Sequence, residues 1–244
     1  MKMVISFSLW GERLPYLGGA IENAQAARDL YQGWTARFYC DAKLDPRVLD
    51  ALASFGVEIV VMHQARTEWE RVFWRLYPFS DSSVDLFISR DCDSIITARE
   101  KQAVDEWLDS GRPFHIIRDH RTHKAPISGG LFGARHGVLP EFPRLLPNWR
   151  KLNYGGDEDF LAEVVWPRIK ANHLAHDNWK RYTGEECRGL PQSDTFCGAK
   201  RMPSRHILEE HPWLAECRRA YARIHLPLPH LHFGLSGFGG GAVK

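Results

Sequence analysis

Short apolar segments alternate with amphipathic ones along the first 120 or so residues. Residues 3–10 read MVISFSLW, a strand-like run, and residues 18–33 carry alanine, isoleucine and leucine at helical spacing. Strands that alternate with helices build βαβ units around a mostly parallel sheet covered on both faces. The pattern therefore predicts an α/β fold. Further strands are predicted at 35–41, 57–62 and 113–119, and further helices at 45–56, 68–77 and 97–111.

Local capping signals fix the ends of one of these helices. Thr97 and Glu100 have the spacing of a capping box, and Gly111 stands where a helix commonly stops. The sequence thus predicts a helix that begins just after Thr97 and ends at Gly111.

Composition narrows the class of protein. The chain has 244 residues, of which 44% are hydrophobic and 25% charged, as is ordinary for a globular protein. A formal net charge of +2 with no long block of lysine and arginine argues against a dedicated nucleic-acid binder. Five cysteines without a C-x-x-C pair indicate a reducing compartment, with the thiols packed as small hydrophobes.

The N-terminal segment MKMVISFSLWGER resembles a signal peptide only superficially. Its apolar run is short, and Glu12 and Arg13 stand where a cleavage site would need small residues. No apolar run approaches the roughly 18 residues that a membrane-spanning helix needs. We therefore expect no transmembrane segment and a cytoplasmic location.

One predicted strand ends in two aspartates. Residues 84–94 read VDLFISRDCDS, and Asp91 and Asp93 are separated by Cys92 alone. Because side chains alternate along an extended chain, both carboxylates should point to one side and Cys92 into the core. Paired carboxylates, together with substrate phosphates, suit Mg²⁺ or Mn²⁺. The competing interpretation is a turn in which one aspartate caps a helix near Ser94.

A second acidic cluster lies in the segment YGGDEDFLAEVVWP, residues 154–167. Asp157, Glu158 and Asp159 could simply occupy the first turn of a helix, where the dipole favours anions. That interpretation leaves the preceding glycine pair unexplained. The functional interpretation places one of these acids at a reacting substrate, and all three are candidate catalytic residues.

Polar residues also follow the other predicted strands, where open parallel sheets bind their ligands. Gly129 and Gly130 would let the backbone approach a ligand closely. Arg75 and Arg90 carry guanidinium groups suited to a diphosphate. The candidates for substrate binding are Ser8, Trp10, Asp41, Arg75, Arg90, Arg118, Asp119, His120, Gly129 and Gly130.

Other polar and aromatic residues have simpler explanations. Residues 121–124 are interpreted as a polar surface loop, and Trp69, Phe73 and Trp74 as core at helical spacing. A lone histidine is more often structural than a ligand, although a neutral imidazole can complete a carboxylate site. The histidines considered for that place are His173, His176, His230 and His232.

The order of these motifs resembles that of GT-A-fold, D-x-D-containing nucleotide-sugar glycosyltransferases. The matching elements are an N-terminal strand, RDCDS after a later strand, a downstream SGGLFG, and GGDEDFL opening a helix. The last of these is similar to the D-Q-D-F-L stretch of several sugar-nucleotide transferases. The resemblance covers residues 1 to about 180.

The resemblance implies a GT-A-like (Rossmann-like), mostly parallel twisted sheet flanked by helices. We expect a single catalytic domain over residues 1–203 and a C-terminal helical segment over 204–244, whose glycine-rich tail at 234–244 forms a flexible end or a lid.

The resemblance also implies roles for individual residues. Asp91 and Asp93 would bind the ribose and a divalent cation, Mn²⁺ or Mg²⁺, with His176 as a third ligand. Asp41 would contact the base. Gly129 and Gly130 would face the sugar, and the acids at 157–159 the sugar and acceptor. Glu158 stands where related retaining enzymes often carry glutamine, which leaves a retaining and an inverting reaction both open.

The implied activity is metal-dependent, hexosyltransferase-type sugar transfer from a nucleoside-diphosphate sugar, with a UDP-sugar favoured. The acceptor hydroxyl could belong to a glycan, a small molecule, a nucleoside or a nucleic acid. A nucleotidyltransferase or pyrophosphorylase is the main rival, but it would carry a basic glycine-rich loop after the first strand. Here that loop is LWGERLPYLGG, with Arg13 as its one cation. A non-catalytic nucleotide- or carbohydrate-binding protein is the other rival.

Overall fold

The computed structural model describes residues 1–216, which form one eight-stranded sheet flanked by helices. The spatial order of the strands is β3-β2-β1-β4-β6-β5-β7-β8. The strands are β1 (Met3–Leu9), β2 (Trp34–Asp41), β3 (Glu58–Met62), β4 (Leu86–Ser89), β5 (Phe114–Arg118), β6 (Phe132–Arg135), β7 (Leu174–Asp177) and β8 (Cys187–Arg188).

Most neighbouring strands run parallel, as the sequence predicts. β1 pairs in parallel with β2 and with β4, and β5 with β7. β6 runs antiparallel to both of its neighbours, β4 and β5. β6, β7 and β8 are too short, at four, four and two residues, to stand out as strands in the sequence.

Helices cover both faces of the sheet and enclose two main apolar clusters. One cluster joins β1, β2 and β4 to the helices Leu14–Leu30, Pro46–Ala53 and Ala98–Ser110. The other joins the opposite face to the 3₁₀ helix Glu68–Phe79 and to the segment 156–169. The helices are α1 (Leu14–Leu30), α2 (Pro46–Ala53), α3 (Ala98–Ser110), α4 (Phe142–Leu145), α5 (Gly156–Phe160), α6 (Trp166–Ile169) and α7 (Arg205–Glu210), with a 3₁₀ turn at Leu146–Asn148 and a π-helical turn at Leu161–Val165.

The capping prediction for α3 is confirmed. The Thr97 side chain accepts a hydrogen bond from the Glu100 backbone N–H, and Gly111 ends the helix in a left-handed conformation at φ +68°. The helix that the sequence predicts to open at GGDEDFL is found as α5, the π-helical turn and α6 in succession. Pro167 lacks an N–H and stands just after the π-helical turn.

Two buried serines connect β1 to the 3₁₀ helix 68–79. Ser6 Oγ donates to the carbonyl of Arg75 at 2.8 Å, and Ser8 Oγ accepts from the Arg75 backbone N–H at 2.8 Å. A 3₁₀ segment of 12 residues is unusually long. These side-chain bonds tie it to the carboxyl half of β1 and thereby fix where Arg75 points.

Residues 204–216 pack against the core. Ile207 of α7 and Leu214 are fully buried in the cluster that contains α1. Pro203 lies against Gly18 so closely that a β-carbon there would collide. The domain boundary at 203 stays a prediction, and the glycine-rich tail, His230 and His232 lie outside the described residues.

Three cysteines occupy core positions. Cys40, Cys92 and Cys197 are free thiols and buried, and burial raises the pKa of the Cys40 thiol to about 12. Thiols of this kind behave as small hydrophobes. Among residues 1–216, no helix combines the length and apolar character needed to cross a bilayer.

Candidate active site

The two aspartates lie in a turn immediately after β4. Cys92 between them is 2% exposed, and its thiol contacts the Ser8 carbonyl at 3.4 Å. Gly19 of α1 packs on the Cys92 carbonyl with no room for a β-carbon. The inward orientation of Cys92 thus agrees with the sequence prediction. Neither aspartate caps α3, because Thr97 does.

A cavity of about 210 Å³ opens between this turn, the end of β1 and the start of α5. We call it the aspartate cavity. Its position beyond the carboxyl ends of two parallel strands is where open α/β sheets bind ligands. Its lining residues are Ser8, Trp10, Tyr16, Trp69, Val72, Arg75, Asp91, Cys92, Asp93, Gly129, Tyr154, Gly155, Asp157, Glu158 and Lys200.

Arg75 joins the two acidic clusters that the sequence singles out. Its guanidinium is buried and donates to Asp157 at 2.7 Å and, through its other terminal nitrogen, to Asp91. These two carboxylates hold the pKa of Arg75 above its usual range despite burial. Arg75 is therefore a fixed counter-charge between Asp91 and Asp157.

Gly129 and Gly130 leave the space that these charged groups occupy. A β-carbon on Gly130 would overlap the Asp91 carboxylate, and one on Gly129 would overlap Arg75 and Asp157. The glycine pair thus permits close approach within the protein, while the predicted approach to a ligand stays a prediction. The groups that approach are the side chains of the site itself.

The acids at 157–159 separate into two groups. Asp157 is buried against Arg75, whereas Glu158 is exposed on one side and lines the cavity with the other, where desolvation of its carboxyl and the nearby Asp157 charge raise its pKa. Asp159 is exposed, lies 3.7 Å from Lys151, and does not line the cavity. The glycine pair before them is required by geometry: Gly155 has φ +79°, and Gly156 lies against a carbonyl oxygen.

Asp93 carries its own counter-charge. It is 4% exposed, and Lys200 Nζ lies 3.2 Å from its Oδ2. Burial and the nearby Asp91 charge raise the pKa of Asp93, while Lys200 and a hydrogen bond from the Tyr16 hydroxyl act in the opposite direction. Both aspartates of the turn are thus paired with cations of the chain.

The donor set fits a divalent ion that shares its coordination with a ligand. No group of three histidine, cysteine or acidic side chains able to hold a metal occurs among residues 1–216. Mg²⁺, however, is commonly held by one or two carboxylates plus substrate phosphates. The described lining residues carry four carboxyl groups and two cations, a formal charge of −2 that favours a cation and repels a bare diphosphate.

Asp41 lies beside the aspartate cavity rather than in it. It ends β2, accepts a hydrogen bond from Arg71 Nε at 2.6 Å, and lines an adjacent cavity of about 300 Å³. Trp10 lines both cavities and therefore connects them.

Several predicted site residues are placed elsewhere. Arg90 is 1% exposed and donates to Glu100 at 3.1 Å inside the core, so it does not reach the cavity. Arg118 is fully buried in ion pairs with Asp177 and Glu185. Both guanidinium groups form buried ion pairs within the fold. A sequence pattern does not distinguish this role from phosphate binding.

His176 is also away from the aspartates. Its Nδ1 lies 2.8 Å from His115 Nε2, and its Nε2 lies 3.2 Å from Glu106. His176 does not line the aspartate cavity, and its two ring nitrogens already have partners. The expectation that it is a third metal ligand does not agree with this placement. His173 is likewise engaged, with Glu185 at 3.0 Å.

Asp119 and His120 line a different, larger cavity of about 850 Å³ beyond β5 and β7. Asp119 accepts from Arg99 Nη2 at 2.8 Å, and the His120 ring stacks on Phe196 with centroids 4.0 Å apart. This cavity shares no lining residue with the aspartate cavity. The structure therefore separates these two residues from the other candidates.

Four residues that line the aspartate cavity are not predicted as site residues from the sequence. Trp69 is 38% exposed and forms an edge-to-face pair with Tyr154 at the cavity, whereas Phe73 and Trp74 are core, as predicted. Tyr16 and Lys200 meet at Asp93. Tyr154 alone carries a local signal, since it directly precedes the glycine pair and the acidic run.

Comparison with known proteins finds a likeness of fold. No family model matches the chain, and no curated protein matches its sequence. A solved structure of 4-diphosphocytidyl-2C-methyl-D-erythritol synthase from Anaerococcus prevotii is similar, with a TM-score of 0.51 at 10% identity, over 88% of this chain and 96% of that one. A glucosyl-3-phosphoglycerate synthase from Mycobacterium tuberculosis, in complex with phosphoglyceric acid, gives a TM-score of 0.47 at 10% identity, over 91% and 79%.

These findings define the class of fold. The chain has a GT-A-like fold, a mixed, mostly parallel sheet flanked by helices, as the motif order indicates. At 10% identity the likeness extends to the fold alone.

Proposed function

We propose that the protein is a metal-dependent glycosyltransferase that moves a sugar from a nucleoside-diphosphate sugar to a hydroxyl acceptor. The observation that carries this proposal is the aspartate cavity, in which Asp91 and Asp93 lie together beyond the carboxyl ends of β1 and β4. A cavity with a formal charge of −2 accepts a diphosphate only together with a cation such as Mg²⁺ or Mn²⁺.

Different residues around the cavity would bind the metal, position the carboxylates and hold the nucleoside. Asp91 and Asp93 would hold the divalent ion, which when bound would stabilise negative charge on the departing diphosphate. Arg75 keeps Asp91 and Asp157 in place. The adjacent cavity with Asp41 and Arg71 offers room for the nucleoside, with UDP favoured.

Glu158 is our candidate for the general base. It lines the cavity, and partial desolvation of its carboxyl together with the nearby Asp157 charge raises its pKa, which favours its use as a base. In this role it takes the proton of the acceptor hydroxyl as the oxygen attacks the anomeric carbon.

Nucleotidyl transfer is the main rival, because it uses the same sheet and the same kind of ion. The loop between β1 and α1 contributes one cation, Arg13, which is exposed and does not line the aspartate cavity. A pyrophosphate leaving group would lack its customary cationic loop, which favours sugar transfer.

Thermal melting with UDP, GDP, dTDP and CDP, each with and without Mn²⁺, tests the proposal. Mn²⁺ and one nucleotide together should raise the melting temperature, since a ligand at 100 times its Kd adds about 2.7 kcal/mol of stability. Asp93→Asn should remove the Mn²⁺-dependent part and leave the far-UV circular dichroism unchanged. The absence of a shift with every nucleotide would overturn the proposal.

Product analysis then separates the two reactions. Incubation with sugar nucleotides and Mn²⁺ should release a nucleoside diphosphate. Release of inorganic pyrophosphate from a nucleoside triphosphate and a sugar phosphate would favour the nucleotidyltransferase instead. Binding without turnover of any sugar nucleotide would favour a non-catalytic module.

A further inference from the structure

Lys200 occupies the side of Asp93 that a cation bound there would need. Its Nζ lies 3.2 Å from Asp93 Oδ2, a contact between an ammonium and a nearly buried carboxylate. The backbone beside it is fixed to the same turn: Lys200 bridges Ser94, and the Arg201 N–H donates to the Asp93 carbonyl at 2.9 Å. The ammonium is therefore positioned at Asp93 by the fold.

The two cations of the aspartate cavity differ in their freedom to move. Arg75 is 5% exposed and held between Asp91 and Asp157, so leaving would strand two carboxylates. The Lys200 side chain is 66% exposed and ends a flexible four-carbon stem. Withdrawal of the Lys200 ammonium into solvent leaves only Asp93 to be compensated.

A divalent ion and the Lys200 ammonium compete for Asp93. Two cations on one carboxylate repel each other at contact distance, whereas the carboxylate alone attracts either. A nucleoside diphosphate that enters with the ion brings phosphate oxygens, which are good partners for a displaced ammonium.

We propose that Lys200 is an exchangeable counter-cation: it neutralises Asp93 in the empty site, yields to the divalent ion, and then binds the diphosphate. The inference rests on the proposed function, because it needs a diphosphate ligand. It assigns Lys200 opposite effects on two binding steps. Lys200 weakens binding of the metal alone and strengthens binding of the nucleotide in the presence of the metal.

Two titrations on Lys200→Met, the wild type and Lys170→Met test this assignment. Lys170 is exposed and does not line the cavity, so it controls for the loss of a surface charge. Free Mn²⁺ is measured by electron paramagnetic resonance without nucleotide. Binding of UDP, or of the nucleoside diphosphate that shifts the melting temperature most, is measured by calorimetry at saturating Mn²⁺.

In Lys200→Met, Mn²⁺ alone should bind about tenfold more tightly, the change that about 1.4 kcal/mol produces. The nucleotide should bind about tenfold more weakly at saturating Mn²⁺, and Lys170→Met should match the wild type in both titrations. Lys200→Gln should behave like Lys200→Met.

Three results would overturn the assignment. If both affinities fall together, Lys200 only supports the local structure. If neither changes while the wild type binds Mn²⁺ and nucleotide, the exchange is wrong and the proposed function stands. If neither protein binds Mn²⁺ or any nucleoside diphosphate, the proposed function fails and the exchange fails with it.

Discussion

Arg75 and Asp157 form a buried ion pair, with Nη2 and Oδ2 2.7 Å apart, across 82 residues of sequence. The same guanidinium also binds Asp91, so one side chain joins the turn after β4 to the start of α5. The pair therefore fixes two acidic segments that are distant in sequence in one cavity.

Removal of the shared guanidinium should destabilise the protein. Arg75→Met leaves Asp157 buried without its counter-charge, and we expect the free energy of unfolding to fall by about 3 kcal/mol. Urea denaturation measures the change. The exposed Arg205→Met serves as control and should shift stability by less than about 0.5 kcal/mol.

A double-mutant cycle tests whether the loss comes from the pair itself. Arg75→Met with Asp157→Asn should cost less than the sum of the two single changes, because the second removes the stranded charge. Strict additivity would contradict the coupling between these two residues.

The space beside Gly130 predicts a selective loss of ligand binding. In Gly130→Ala the new methyl group overlaps the Asp91 carboxylate and must displace it. We expect the melting shift with Mn²⁺ and nucleotide to disappear while the circular dichroism remains native. Gly189→Ala, where the nearest neighbour of a β-carbon is 3.5 Å away, should retain the full shift. Equal shifts in the two variants would mean that Asp91 does not need its present position.

Glu158 and Asp159 offer a matched pair for the general-base assignment. Glu158→Gln should lower kcat by about 10²- to 10⁴-fold, with little change in nucleotide affinity. Asp159→Asn, at an exposed position that does not line the cavity, should leave kcat unchanged. Steady-state kinetics with the active sugar nucleotide measures both. A larger loss in Asp159→Asn than in Glu158→Gln would refute the assignment.

Histidines held neutral by burial predict that acid destabilises the fold. Burial lowers the pKa of His123 from 6.5 to about 4, and it also lowers the pKa values of His115 and His176. Below pH 6.5 the unfolded chain binds protons at these histidines that the folded protein does not bind. The free energy of unfolding therefore falls with falling pH. Each such histidine contributes at most about 1.4 kcal/mol per pH unit.

For His123 the loss falls between pH 6.5 and 4. Urea midpoints over this interval should decline less steeply in His123→Gln than in the wild type. The exposed Lys170 provides the comparison, and Lys170→Met should follow the wild-type curve. Parallel curves for all three proteins would exclude a contribution from His123.

The turn after β4 shows which features of the candidate site can be predicted from the sequence. The apolar run, the two aspartates and the inward Cys92 are local features, and each has its expected place. The glycine pairs at 129–130 and 155–156 are similarly recognisable, because close approach and positive φ exclude other residues. Local steric and periodic constraints determine such features, so the sequence by itself contains them.

Local features of the sequence do not predict which cation pairs with which carboxylate. Arg75 and Arg90 are both arginines beside candidate segments, yet one reaches the cavity and the other pairs with Glu100 in the core. Lys200 meets Asp93 because a distant segment bridges Ser94. The sequence by itself determined the order of strands and helices over the first 120 or so residues and the positions of the acids along the chain, because periodicity and turn chemistry are local. Only the tertiary structure decided which cation meets which carboxylate, because a short-range ion pair depends on how segments far apart in the chain pack.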